Sequence, residues 1–174
     1  MPPGVATRAT CSSATSAATA ASSPRSCGSG RDAAHRAAVK RLAVIVSRGE
    51  LNNLVQVATL LLAAVGSGVA VRVFFRDDAV YAVARGARDL PLSPLHRRDE
   101  GGVRERLAAQ GLDDVPALLR QVKDAGDARL YVCSSSLAIC GVGADDLSPE
   151  IDAVRGLTAF LLEDVAGADR VLTF

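Results

Sequence analysis

Tryptophan is absent from this 174-residue chain, and two tyrosines and four phenylalanines hold the aromatic share to 3%. A core without large rings must be assembled from Ala, Val, Leu and Ile, which favours helix layered on sheet over an aromatic-rich sandwich. Charge of one sign is also scarce: 20 basic residues face 19 acidic ones, for a net charge of +1. With no overall field to attract them, nucleic acid and acidic membranes are not expected as partners. Four cysteines, Cys11, Cys27, Cys133 and Cys140, are too few to staple a chain of this length. The small-residue run from Ala14 to Ala21 lacks the Leu, Ile or Phe that a secretion signal needs. Free thiols and a cytoplasmic location are therefore expected.

Other absences narrow the chemistry. There is no Cys-x-x-Cys and no grouping of Cys with His, which argues against a structural zinc site. Gly66-Ser67-Gly68 and Gly141-Val142-Gly143 lack the full spacing of a dinucleotide-binding loop, so no metal and no organic cofactor is expected. The stretch from Leu51 to Val71 carries no charge, and about 20 such residues can span a bilayer. Asn52, Asn53 and Gln56 make its start polar, however, and Gly66, Ser67 and Gly68 interrupt it, so no membrane span is expected.

Residues 1–37 are mostly Ala, Ser, Thr, Gly and Arg, and Ala alone buries too little area to offset the entropy of ordering. A disordered low-complexity tail is expected there, with Cys11, Cys27 and nearby His35 as incidental solvated groups, and one α/β domain over residues 38–174.

Within that domain, Lys40 to Val46 reads as a strand buried on both faces. Leu51, Leu54, Val55, Ala58, Leu61, Leu62 and Val65 form the stripe of a core-facing helix ended by Gly66 and Gly68. Val69 to Phe75 is a second strand. Asp77 to Arg85 reads as a short helix, and Gly86 to Gly111 as an irregular passage. Asp113 or Asp114 is placed to cap a helix with Pro116 in its first turn, ending near Gly126. Arg129 to Cys133 is a third strand, Glu150 to Val165 a long core helix with Ile151, Val154, Leu157, Thr158, Leu161, Leu162 and Val165 on one face, and Arg170 to Phe174 the last strand. Alternating strands and helices predict a small, doubly wound, mostly parallel sheet with helices on both faces.

Reactive groups in such sheets gather beyond the carboxyl ends of the strands. Cys133 falls at that edge, and Ser134, Ser135 and Ser136 follow it with hydroxyl and backbone donors suited to steady a thiolate. Cysteine is equally a common apolar filler, and that reading stays open for Cys133. Cys140, inside the apolar run Leu137 to Val142, reads first as a packed thiol and second as a relay or resolving partner for Cys133. His96 reads as solvated, with a role as acid or base open if its loop folds over Cys133. Asp77, Asp78, Asp145 and Asp146 read as residues that begin or flank helices.

Three segments resemble the DsrE/DsrF-like (DsrEFH-like) family. They are Arg41 to Gly49 leading into Leu51 to Val65, Arg129 to Ser136 followed by Gly141-Val142, and Gly156 to Leu161 followed by Ala168 to Leu172. The likeness covers residues 40–174, and the long insert between the second and third strands is most similar to the peroxiredoxin-like branch. That branch commonly has methionines after the cysteine, where this chain has Ser135 and Leu137. The resemblance implies a sulfur-relay protein that forms homo- or hetero-oligomers. It also implies that Cys133 takes sulfane sulfur as a persulfide from donor proteins or low-molecular-weight persulfides and passes it to acceptors. Two alternatives stay open: a thiol peroxidase or disulfide reductase using Cys133 with Cys140 as resolver, and a non-catalytic assembly module.

Overall fold

The computed structural model describes residues 39–174, so the tail expected at residues 1–37, with Cys11 and Cys27, lies outside the described residues. Five strands form one sheet: β1 (Arg41–Val46), β2 (Ala70–Phe75), β3 (Ala128–Cys133), β4 (Ala153–Arg155) and β5 (Arg170–Thr173). All neighbours run parallel, in the order β4-β3-β2-β1-β5. The predicted parallel α/β architecture is therefore the one observed.

The first helix, α1 (Leu51–Gly66), buries Leu51, Leu54, Val55, Val57, Ala58, Leu61 and Val65, close to the stripe read from the sequence. It packs with α4 (Val115–Ala125), whose buried face is Val115, Leu118, Leu119 and Val122. Asp114 caps α4 by accepting a 3.0 Å hydrogen bond from the Ala117 N–H, and Pro116 sits in the first turn, where its missing N–H costs nothing. These two helices cover one sheet face over Val44, Val46, Val71, Val73, Phe75, Leu130 and Val132. The other face is smaller: Ala43, Phe74, Tyr131 and Cys133 lie under Phe160 of α6 (Leu157–Phe160), which continues as a π turn over Leu161–Val165. Phe160 stacks on Phe74 at 4.6 Å between ring centroids and meets Tyr131 edge-on at 6.2 Å, so half of the scarce aromatics are concentrated here.

The helix expected over Glu150 to Val165 is not continuous. Its first part is the edge strand β4, because the Asp152 carboxylate accepts the Leu130 N–H at 2.8 Å and the Asp152 N–H donates to the Leu130 carbonyl at 2.8 Å. Lys123 and Arg129 hold that carboxylate in turn, and Gly156 separates strand from helix. The helical part turns Phe160 and Asp164 inward and leaves Leu161 and Leu162 exposed, the reverse of the expected stripe. The passage after β2 also departs from expectation. The short helix expected within Asp77 to Arg85 is present as α2 (Ala79–Ala82), but the segment expected to be irregular holds a 3₁₀ stretch at Pro94–Asp99 and α3 (Glu100–Ala109). No residue of α3 is buried, so it lacks the apolar period that reveals a helix in sequence. Among the described residues no helix is long and apolar enough to cross a membrane.

Leu61→Ala, at a side chain with no exposed surface, is expected to lower stability by about 3 kcal/mol. Leu162→Ala, at 71% exposure, is expected to change it by less than about 0.5 kcal/mol. Denaturant unfolding of both variants checks the assignment of the core face.

Candidate functional site

The chain leaves β3 at Cys133 and turns directly into α5 (Ser134–Cys140), with Cys133 itself in extended conformation as the residue that caps the helix. Val71↔Ala128 through Phe75↔Val132 fix β2 against β3, so the residue after Phe75, Arg76, stands level with Cys133. The Arg76 N–H still donates to the Val46 carbonyl at 2.9 Å, which continues the ladder with β1 by one residue. On the other flank, Cys133 is paired with Arg155 of β4. Arg76, Cys133 and Arg155 thus form one row across the carboxyl ends of three strands.

Only 6% of Cys133 is exposed, so the thiol is more enclosed than a residue at an open sheet edge would be. That burial pushes its pKa up. The Ser136 hydroxyl, the Ser136 and Ser135 N–H groups and the Arg76 guanidinium outweigh it, leaving the thiol below its ordinary value. Ser136 is buried and contributes twice, while Ser134 and Ser135 are exposed and Ser135 acts through its backbone.

Ser136 is held by the turn after β2: its Oγ accepts the Asp77 N–H at 3.0 Å, which leaves the hydroxyl proton available to the sulfur. Asp77 has φ of +48°, a left-handed conformation that Asp tolerates better than most residues. The same residue's carbonyl accepts the Cys140 thiol at 3.5 Å, so one peptide turn grips both ends of α5. Gly49 lets this turn approach the β1–α1 loop, since a Cβ there would stand 2.5 Å from the Asp78 carbonyl oxygen.

A family model described as DsrE/DsrF-like matches residues 40–174. The chain belongs to the DsrE/DsrF-like family. Among solved structures it is similar to MTH1491 from Methanobacterium thermoautotrophicum, a protein of unknown function. The two share 15% identity with a TM-score of 0.51, over 76% of this chain and 98% of that one, which is a likeness of fold. No curated protein matches the chain.

Within this DsrE/DsrF-like domain the remaining candidates are dispersed. Cys140 is half-buried at the far end of α5, its thiol beside the Tyr81 hydroxyl, which it pushes up in pKa. Six residues separate the two cysteines, and the seven helical steps between them span roughly 10 Å at 1.5 Å per residue. A disulfide needs Cα atoms within about 7 Å, so direct bridging requires α5 to unwind. His96 lines a cleft of about 410 Å³ with Arg48, Asn52 and Ser93, and Cys133 is not among its walls. A larger cleft of about 670 Å³, between the starts of α1 and α4, also excludes Cys133. Asp77 turns out to be a member of the site through its backbone, whereas Asp145 and Asp146 lie in a separate 3₁₀ turn. Among the described residues no three His, Cys, Asp or Glu side chains group as a metal site. Arg76 and Arg155 were not candidates in the sequence, because strand order and register place them and neither can be read from local pattern.

Ser136→Ala removes the hydroxyl donor and is expected to raise the pH midpoint of Cys133 alkylation. Because the folded thiol lies below its ordinary value, thiolate stabilisation is present above the unfolded thiol's pKa and is lost as pH falls through the folded one. The stability lost in Ser136→Ala should accordingly be larger at alkaline than at neutral pH, over a base loss of about 1 to 2 kcal/mol from the orphaned Asp77 N–H. Iodoacetamide rates against pH, read on the Cys133 peptide, check this; an unchanged midpoint contradicts it.

Proposed function

We propose that Cys133 carries sulfane sulfur as a persulfide in a sulfur-relay step. Family membership supports a role of this general kind. The observation that carries the finer reading is the thiol at the carboxyl edge of β3, faced by the Ser136 hydroxyl and two backbone N–H groups that lower its pKa. A thiolate is the nucleophile in sulfur exchange, and a persulfide left on the same atom is also an anion that those donors suit.

In the forward step the Cys133 thiolate attacks the outer sulfur of a donor persulfide. A new S–S bond forms at Sγ, the donor's S–S bond breaks, and its electron pair leaves on the donor thiolate. The reverse exchange delivers that sulfur to an acceptor thiol on a partner. Neither step needs a metal or an organic cofactor. Cys140 is not required, and its distance along α5 makes the peroxidase reading with a resolving cysteine the weaker one. Assembly into homo-oligomers in the cytoplasm belongs to the same proposal and rests on the family likeness.

Treatment of the full chain with polysulfide is expected to add about 32 Da, one sulfur, at Cys133, and Cys133→Ser should abolish it. An adduct mapped only to other cysteines, or none, rejects the proposal.

A further inference from the structure

We infer that Arg76 makes Cys133 a receiver for small anionic sulfur donors of the inorganic polysulfide class. This inference rests on the persulfide-carrier reading and names the donor for the same site.

Arg76, Cys133 and Arg155 stand in one row at the carboxyl ends of β2, β3 and β4. Both arginines of the row flank Cys133, but their charges are spent differently. Arg155 is neutralised by two carboxylates: its Nη1 lies 2.8 Å from Glu163 Oε2 and 2.9 Å from Asp164 Oδ2, and its guanidinium covers the Tyr131 ring at 4.3 Å. Arg76 is not. It has one ion-pair partner among the described residues, its own neighbour Asp77, with Nε 3.0 Å from Oδ2. That approach has no hydrogen-bond geometry, and the Nε atom is buried with its donor unused. The Asp77 carboxylate is about half exposed, where water weakens its hold on the pair. The Arg76 Nη groups, which make no hydrogen bond among the described residues, therefore keep donors to offer, on a residue whose backbone lies one strand spacing, about 4.8 Å, from that of Cys133.

A polysulfide dianion meets that geometry better than a neutral organic donor does. In the transfer, the Cys133 thiolate attacks a sulfane sulfur, Sγ–S forms, one S–S bond of the chain breaks, and the electron pair departs with the shortened polysulfide. The thiolate and dianion enter with three negative charges. The persulfide anion and the shorter dianion leave with three, so no oxidant, reductant or proton is consumed. Two anions must approach one another for this to occur, and a cation with unused N–H donors beside the sulfur offsets their repulsion. The enclosure of Cys133, with 6% of its surface exposed, also favours an inorganic chain a few atoms long over a donor presented on a folded protein.

The test compares two alkylating agents of similar size, anionic iodoacetate and neutral iodoacetamide, on the full chain, with rates read on the Cys133 peptide by mass spectrometry. Thiolate content affects both reagents alike and cancels in their ratio. Arg76→Met is expected to lower the iodoacetate-to-iodoacetamide ratio about fivefold, and Arg76→Lys to keep it within about twofold of the native value. In the native chain, raising salt from low to about 0.5 M should also lower the ratio. A ratio indifferent to Arg76→Met overturns the inference. Should that variant fail to fold, a ratio in the native chain that salt does not change overturns it equally. If the ratio responds as expected while polysulfide leaves no sulfur on Cys133, anion selection stands and the carrier reading fails.

Discussion

The hydrogen bond from the Asp77 N–H to Ser136 Oγ, 3.0 Å long, ties the turn after β2 to the helix after β3, and the character of Cys133 depends on it. With its oxygen occupied as an acceptor, the Ser136 hydroxyl has its proton to give, and it favours the thiolate form of the cysteine three residues back. The turn that supplies the N–H holds Asp77 in a left-handed conformation and lies against Gly49, where a side chain would collide with it. Remove that support and Ser136 becomes a buried hydroxyl free to rotate. The largest of the groups that lower the Cys133 pKa would then be lost.

Burial and acidity oppose one another at this sulfur. An apolar neighbourhood of Ala43, Phe74, Tyr131 and Phe160 would make an ordinary cysteine inert. The polar side of the same pocket reverses the balance with few groups: one hydroxyl, two peptide N–H groups and one guanidinium. A thiol made more acidic but enclosed reacts with what fits rather than with every oxidant that passes. The seven-residue α5 contributes through those individual donors, since a helix this short has little macrodipole.

Much of this was legible in the sequence where burial is periodic. The α1 stripe, the Asp114 cap with Pro116 and the apolar runs of β1 to β3 follow from local pattern, as does the position of Cys133 at a strand's end. The segment from Glu150 to Val165 misled because Ile151, Val154 and Leu157 mimic a helical stripe. The hydrogen bonds of Asp152 with Leu130, which no local pattern records, recruit it to the sheet edge. The α3 helix shows no stripe because it buries no residue fully, with Val103 and Leu107 only partly covered. Arg76 escaped notice because its importance comes from standing beside a residue 57 positions later, through a β2–β3 register set by the whole sheet.

The central claim is that the folded chain holds Cys133 as a more acidic thiol than an ordinary cysteine. Ultraviolet difference titration of the native chain against Cys133→Ser measures it directly, because the thiolate absorbs where the thiol does not. The Cys133 thiolate signal is expected to develop below the ordinary range of a cysteine thiol. A signal that develops only at or above that range would contradict it, and would leave Cys133 as a packed core residue.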